Sequence, residues 1–148
     1  MVRTLRRLGY DASLRILPIR RHFESMFDTS KRVQVGVHPW IADYPSPTSF
    51  FDAFACASIR RGTPLNINAS QFCDRTTDRL TAEAKRLQLT DPARAQALWS
   101  RAERRIVDQA PLVAAYNFFN TDLVTERVGN YQHNWVWGDA LLDQFWVR

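Results

Sequence analysis

The residues best placed to do chemistry lie in one stretch: Trp40, Ile41, Ala42, Asp43, Tyr44, Pro45, Ser46, Pro47, Thr48, Ser49, Phe50. A carboxylate between two large aromatic rings can hold an ammonium by short charge-assisted hydrogen bonds while the rings wall off water. The same aspartate could equally bond its own turn backbone ahead of Pro45. Other reactive types are sparse. Cys56 and Cys73 are the only cysteines; they lack C-x-x-C spacing, and His22, His38 and His133 share no motif with them or each other, so no four-ligand metal site is expected. No nucleophile motif accompanies those histidines. Asp43 and Asp52 are a conceivable carboxylate pair, but nothing singles them out from surface acids. The expectation is a binding chain, not an enzyme, with no metal and no cofactor.

The elements around this stretch read as alternating helix and strand. Leu5 and Leu8 share a helical face that Gly9 can terminate. Leu14 and Ile16 alternate with polar neighbours and stop at Pro18, which suggests a strand; Val33, Val35 and Val37 suggest a second. One or two helical turns are expected between them, over 22–28. Three prolines keep residues 38–51 irregular. A loop that follows a strand is a common place for binding residues. Residues 60–70, with Gly62, Pro64, Asn66 and Asn68, read as a further loop.

Two helices come next. Asp74 suits the N-cap of the first, with Thr77, Leu80, Ala84 and Leu87 on one face. Asp91 suits the N-cap of the second, with Pro92 at its first position and Ala95, Leu98, Ala102 and Ile106 as its stripe, Trp99 beside them. The turn between them is very short and predicts an antiparallel hairpin. Strands are expected over 112–116 and 123–125. The apolar tail, Trp135, Val136, Trp137 and then Phe145, Trp146, Val147, must pack against something.

The 148 residues allow a real core, and 45% hydrophobic with 24% charged is an ordinary globular balance. A net charge of +5 raises nucleic acid as a partner. The cations, however, come as scattered arginine pairs with acids between them, and no nucleic-acid motif accompanies them. No apolar run approaches the roughly 18 residues of a membrane span. The start, with Arg3, Arg6 and Arg7, has no signal-peptide core.

Taken in order, these pieces resemble extracellular solute-binding protein family 5, the substrate-binding components of peptide and nickel ABC importers. Five segments carry the resemblance, and together they cover nearly the whole chain. They are Leu5 to Tyr10 running into a strand; Trp40 to Phe50, similar to W-x-A-D-Y-x-x-P-x-x-F; Asn68, Ser70, Phe72, Asp74, Asp78 and Leu80, similar to N-x-S-x-[YF]-x-[ND]-x-x-x-D-x-L; the helix marked by Asp91, Arg94 and Pro111; and Val128, Gly129 and Tyr131 with the closing Trp146 and Val147.

The resemblance implies an α/β fold: the C-terminal portion of a two-lobed, type II periplasmic-binding-protein-like architecture, incomplete on its own. Residues 1–111 would belong to the second ligand-binding lobe, and residues 112–148 would be strands returning to the first. Asp43 would hold a peptide's α-amino group, Trp40 and Tyr44 would form pocket wall, and Asn68 and Phe72 would border the same cleft. One departure is Val37, where peptide binders can carry a basic residue. Export would make Cys56 and Cys73 a disulfide, closing the 60–70 loop and adding about 3 kcal/mol. The partners implied are a peptide or similar small solute, an ABC transporter permease and the missing N-terminal part of the same protein, all periplasmic or at the cell surface. The alternative is a cytoplasmic sensory or regulatory protein, either carrying the same domain or using its basic helical hairpin on DNA.

Overall fold

The structure, a computed structural model, describes residues 1–63, 65–136 and 138–148. It is a mixture of helix and short antiparallel sheet whose buried centre is a helical hairpin. Helix α4 (Arg75–Leu87) starts where the Asp74 carboxylate accepts from the Thr77 amide, and α5 (Pro92–Gln109) where that of Asp91 accepts from the Arg94 amide. Each cap satisfies an N–H that the first helical turn leaves without a partner. Thr90 and Asp91 amides both return to the Leu87 carbonyl, which turns the chain within four residues. The buried residues of the pair are Thr77, Leu80 and Ala84 on α4 and Ala95, Leu98, Trp99, Ala102 and Ile106 on α5, the predicted stripes. Alanine at 84, 95 and 102 lets the helix backbones approach closely, with Leu87 packed at the margin. Ion pairs tie the two ends: Arg94 to Glu83 at 2.6 Å and Arg105 to Asp74 at 2.7 Å. Helix α5 ends with Ala110 in the left-handed region, one residue before Pro111.

At the N-terminus, α1 (Val2–Arg7) closes at Gly9, whose φ of +90° only glycine adopts without strain. Helix α2 (Ile19–Phe27) is longer than the turns expected over 22–28. The short helix α3 (Thr48–Phe51) closes the proline-rich stretch.

The predicted strands around α2 do not form. Residues 14–16 and 33–37 carry no sheet pairing, and Val33, Val35 and Val37 are about half exposed. A strand exists only where a neighbour supplies its ladder hydrogen bonds, and no such neighbour stands beside these segments among the described residues. For the same reason 112–116 and 123–125, expected as strands, carry no sheet pairing.

Among the described residues, sheet is confined to four two-residue strands: β1 (Val128–Gly129), β2 (His133–Asn134), β3 (Asp139–Ala140) and β4 (Trp146–Val147). β1 pairs antiparallel with β4 and β2 with β3. Gly129 faces Trp146 across the first pair, and a Cβ there would lie 2.2 Å from the indole ring. The apolar tail is only partly packed: Phe145 stacks on Tyr131 at 5.4 Å, whereas Trp135 is 90% exposed. Trp137, expected with them, and Pro64 of the 60–70 loop lie outside the described residues.

The whole exposes 11958 Å². A compact monomer of this mass exposes roughly 7,800 Å², so much of the apolar surface has nothing packed on it. No helix is long and apolar enough to cross a membrane among the described residues.

Candidate functional site

The loop that carries Trp40, Asp43 and Tyr44 is built around Ser49. The Trp40 indole N–H donates to the Ser49 carbonyl at 2.8 Å. The Asp43 amide donates to Ser49 Oγ at 2.7 Å, and that hydroxyl donates to Asp43 Oδ2 at 3.3 Å. Ser49 is 3% exposed and Thr48 4%. The three prolines remove competing backbone donors and keep the chain out of helix until residue 48.

Two contacts seat this loop on the hairpin. Phe51 lies on Trp99 with ring centroids 4.9 Å apart, and Ser46 Oγ donates to Gln88 Oε1 at 3.2 Å. The outcome is a fixed backbone with an exposed carboxylate: Asp43 is exposed, Tyr44 is 41% exposed and Trp40 half-buried. Ser49, which organises all of this, was not among the residues singled out from sequence. Its place in the Pro47-Thr48-Ser49-Phe50 run was visible, but its partners were not.

Asn68 and Phe72 belong to a second network. Cys56 and Cys73 are joined by a disulfide with their Cα atoms 4.5 Å apart, and the loop between them is ordered by two fully buried asparagines. Asn68 Nδ2 donates to the carbonyls of Ala55 (3.1 Å) and Phe72 (2.8 Å), and its Oδ1 accepts from Ser70 Oγ (3.0 Å) and the Phe72 amide (3.2 Å). An asparagine side chain offers two donors and two acceptor lone pairs, so every valence is used inside the loop. Asn66 Nδ2 donates to the Asn68 carbonyl at 2.9 Å, while its Oδ1 accepts from the Arg60 amide at 2.9 Å. Phe72 meets Phe54 edge-on at 6.4 Å. The structure therefore brings Trp40, Asp43 and Ser49 together, and Asn68 and Phe72 together, each around its own centre.

Behind the first loop, His38 sits among Phe23, Phe27 and Trp40, with ring centroids 5.8, 5.0 and 5.5 Å away. Burial, then the neighbouring His22, pushes its pKa below the ordinary histidine value. A third cluster lies near the C-terminus. The Tyr131 hydroxyl donates to Asp122, and His133 Nδ1 lies 3.4 Å from the same carboxylate. The bond to Asp122 holds the Tyr131 phenol protonated up to about 12.

Two open grooves of the surface lie away from this loop. One is lined by Arg15, Leu17, Arg21, Glu24, Ser25, Asp28 and Lys31, another by Arg79, Ala82, Glu83, Lys85 and Arg86. Among the described residues no three metal-ligating side chains converge. The arrangement presents a carboxylate at the surface, linked through Ser49 to the Trp40 indole.

The chain is similar to the periplasmic oligopeptide-binding protein OppA of Escherichia coli (strain K12), 32% identical over 115 residues, which is 76% of this chain and 20% of that protein. It is also similar to OppA of Salmonella typhimurium (strain LT2), 28% identical over 109 residues, or 74% of this chain and 18% of the other. The chain thus spans about a fifth of the length of these curated relatives. No family model and no solved structure matches it.

Proposed function

We propose that this chain is the C-terminal portion of a solute-binding protein of family 5, the substrate-binding component of an ABC importer for peptides or similar small solutes. The observation that carries the reading is the loop of Trp40, Asp43 and Ser49. A buried serine fixes the aspartate's backbone, an indole is pinned beside it, and the carboxylate stands at the surface. In the complete protein a second lobe would close over it, and Asp43 would hold the ligand's amino group with Trp40 and Tyr44 as wall. Hinge closure supplies the enclosure that the loop alone lacks. Asn68 acts here by shaping the loop that presents Phe72, and Phe72 borders the cleft. No covalent chemistry and no cofactor is required.

Three further features support this. The similarity to two periplasmic oligopeptide-binding proteins covers three quarters of the chain. The Cys56–Cys73 disulfide suits an oxidising, periplasmic or cell-surface compartment rather than the cytoplasm of a regulator. The exposed apolar residues of 112–125 and of the tail suit strands that return to the first lobe, with residues 1–111 in the second. Their partner is then the rest of the same polypeptide, and the assembled protein hands its ligand to a permease.

The test is calorimetric titration of the complete polypeptide with a pool of short peptides, beside its Asp43→Ala variant. Binding that weakens by about 1–3 kcal/mol on substitution, the scale of a hydrogen bond to a charged group, is the expected result. A complete protein that ignores peptides would overturn the ligand class. One that binds them equally well without the carboxylate would overturn the role of Asp43.

A further inference from the structure

The imidazole of His38 lies in surroundings made for a neutral ring. Phe23, Phe27 and Trp40 meet it at interplanar angles of 77°, 88° and 75°. Phe23 and Phe27, one helical turn apart on α2, stack on each other at 6.3 Å. Both His38 nitrogens are shielded from water, and neither has a hydrogen-bond partner among the described residues. The neighbouring His22 is held differently: its Nε2 donates to the Val37 carbonyl at 2.7 Å. A neutral His38 has one N–H without an acceptor, whereas a charged His38 would have two.

We propose that His38 is a pH-operated latch: neutral, it holds Trp40 and the loop behind it against α2, and protonated, it leaves the aromatic cluster and releases that loop. The other charged groups of the packed elements are engaged elsewhere. On α2, Arg20 pairs with Glu24 at 3.0 Å, and Arg21 and Glu24 line the surface groove with Arg15, Asp28 and Lys31. On the loop, Asp43 is bonded to Ser49. Among the described residues, His22 is the titratable group acting on His38.

The sign follows from burial, which lowers the proton affinity of His38 in the docked state relative to the released one. Docking is therefore fully favoured above about pH 6.5, the ordinary histidine value, and weakens as pH falls from there toward the docked-state value. The latch does not depend on the loop's taking a ligand.

The experiment uses the full chain without peptide. Solvent exchange of the Trp40 indole N–H, corrected for the intrinsic pH dependence of exchange, reports the docked loop through its bond to Ser49. Imidazole NMR shifts report His38 itself. Protection of Trp40 is expected to fall by up to roughly tenfold per pH unit as pH drops below about 6.5 and to level off near the His38 midpoint, which lies lower. His38→Phe should keep Trp40 protected and flat across pH 5 to about 7.5. Flat protection in the unsubstituted chain overturns the latch, as does an unchanged pH response in H38F. If H38F does not fold, the ring titration of the unsubstituted chain decides. A midpoint at or above about 6.5 overturns the proposal, and a lower one that coincides with the loss of Trp40 protection supports it.

Discussion

Arg105, near the end of α5, donates through Nε to Asp74 Oδ2 at 2.7 Å, and the same oxygen caps α4 by accepting from the Thr77 amide at 3.0 Å and its hydroxyl at 2.7 Å. One carboxylate oxygen thus starts one helix and fastens the end of the other. The Arg105 bond first, then those from Thr77, hold the Asp74 carboxyl well below the usual carboxylate range. A depressed folded-state value means that the carboxylate's stabilisation is fully present above the unfolded value of about 4 and is lost as pH falls below it. Acid titration followed by far-UV circular dichroism should show the hairpin weakening below about pH 4, and Asp74→Ala should flatten that limb. At neutral pH the same substitution should cost about 1 kcal/mol from the lost cap, read as a lower denaturant midpoint. An unchanged acid limb in D74A would contradict this role.

Asn68→Ala should destabilise the chain by about 1–3 kcal/mol. The substitution removes the donor to the buried loop's Phe72 carbonyl, reduces the Ala55 carbonyl to its bond from the Ser58 amide, and leaves the Phe72 amide only its longer bond to Ser70 Oγ. Thermal unfolding and proteolysis between Cys56 and Cys73 measure it. A neutral result would mean that water replaces the side chain, and that Asn68 does not order the loop.

Reduction of Cys56–Cys73 should loosen the same loop. For a sequence separation of 17 the chain-entropy scale is about 3 kcal/mol, large against the 5–15 kcal/mol of a typical domain. The expected outcome is a lower urea midpoint in reductant, with the α4–α5 hairpin losing the anchor between the Cys56 amide and Asp78 (3.2 Å). Identical midpoints with and without reductant would show that the bond closes a loop already fixed by its asparagines.

Ser49→Ala separates the two functions of that residue. The Trp40 indole bond goes to the Ser49 carbonyl and survives, whereas the Asp43 amide and carboxylate both lose Oγ. In the complete polypeptide, peptide affinity should fall by about 1 kcal/mol, roughly fivefold, while Trp40 indole exchange stays unchanged. Loss of Trp40 protection as well would show that the hydroxyl supports the whole loop.

What could be read in advance was the part of the fold governed by local rules. Asp74, Asp91 and Pro92 announce helix starts, and the three-and-four spacing from Leu80 to Ile106 describes a seam that two helices can form with each other alone. Val33, Val35 and Val37 alternate as a strand should, yet alternation only prepares a segment for a sheet; the neighbour has to come from elsewhere in the chain or from beyond it. Left-handed turns at Arg32, Gln71 and Ala110 carry no glycine to mark them. The Trp40 loop was legible as a loop with a carboxylate. Its dependence on Ser49 was not, because those bonds form only once the chain bends back between residues 40 and 49, nor was the meeting of His22 and His38, which arises only once α2 lies against residues 37–38.

The unpaired stretch from Leu112 to Val124 bears on how this chain behaves in concentrated solution. Val113, Phe119 and Leu123 are 86%, 99% and 96% exposed on backbone without sheet partners. Such a segment is a template on which another strand can add, including the same segment of another copy. Self-association that grows with concentration is the expected result, since each copy with this stretch uncovered offers the next an edge to add to.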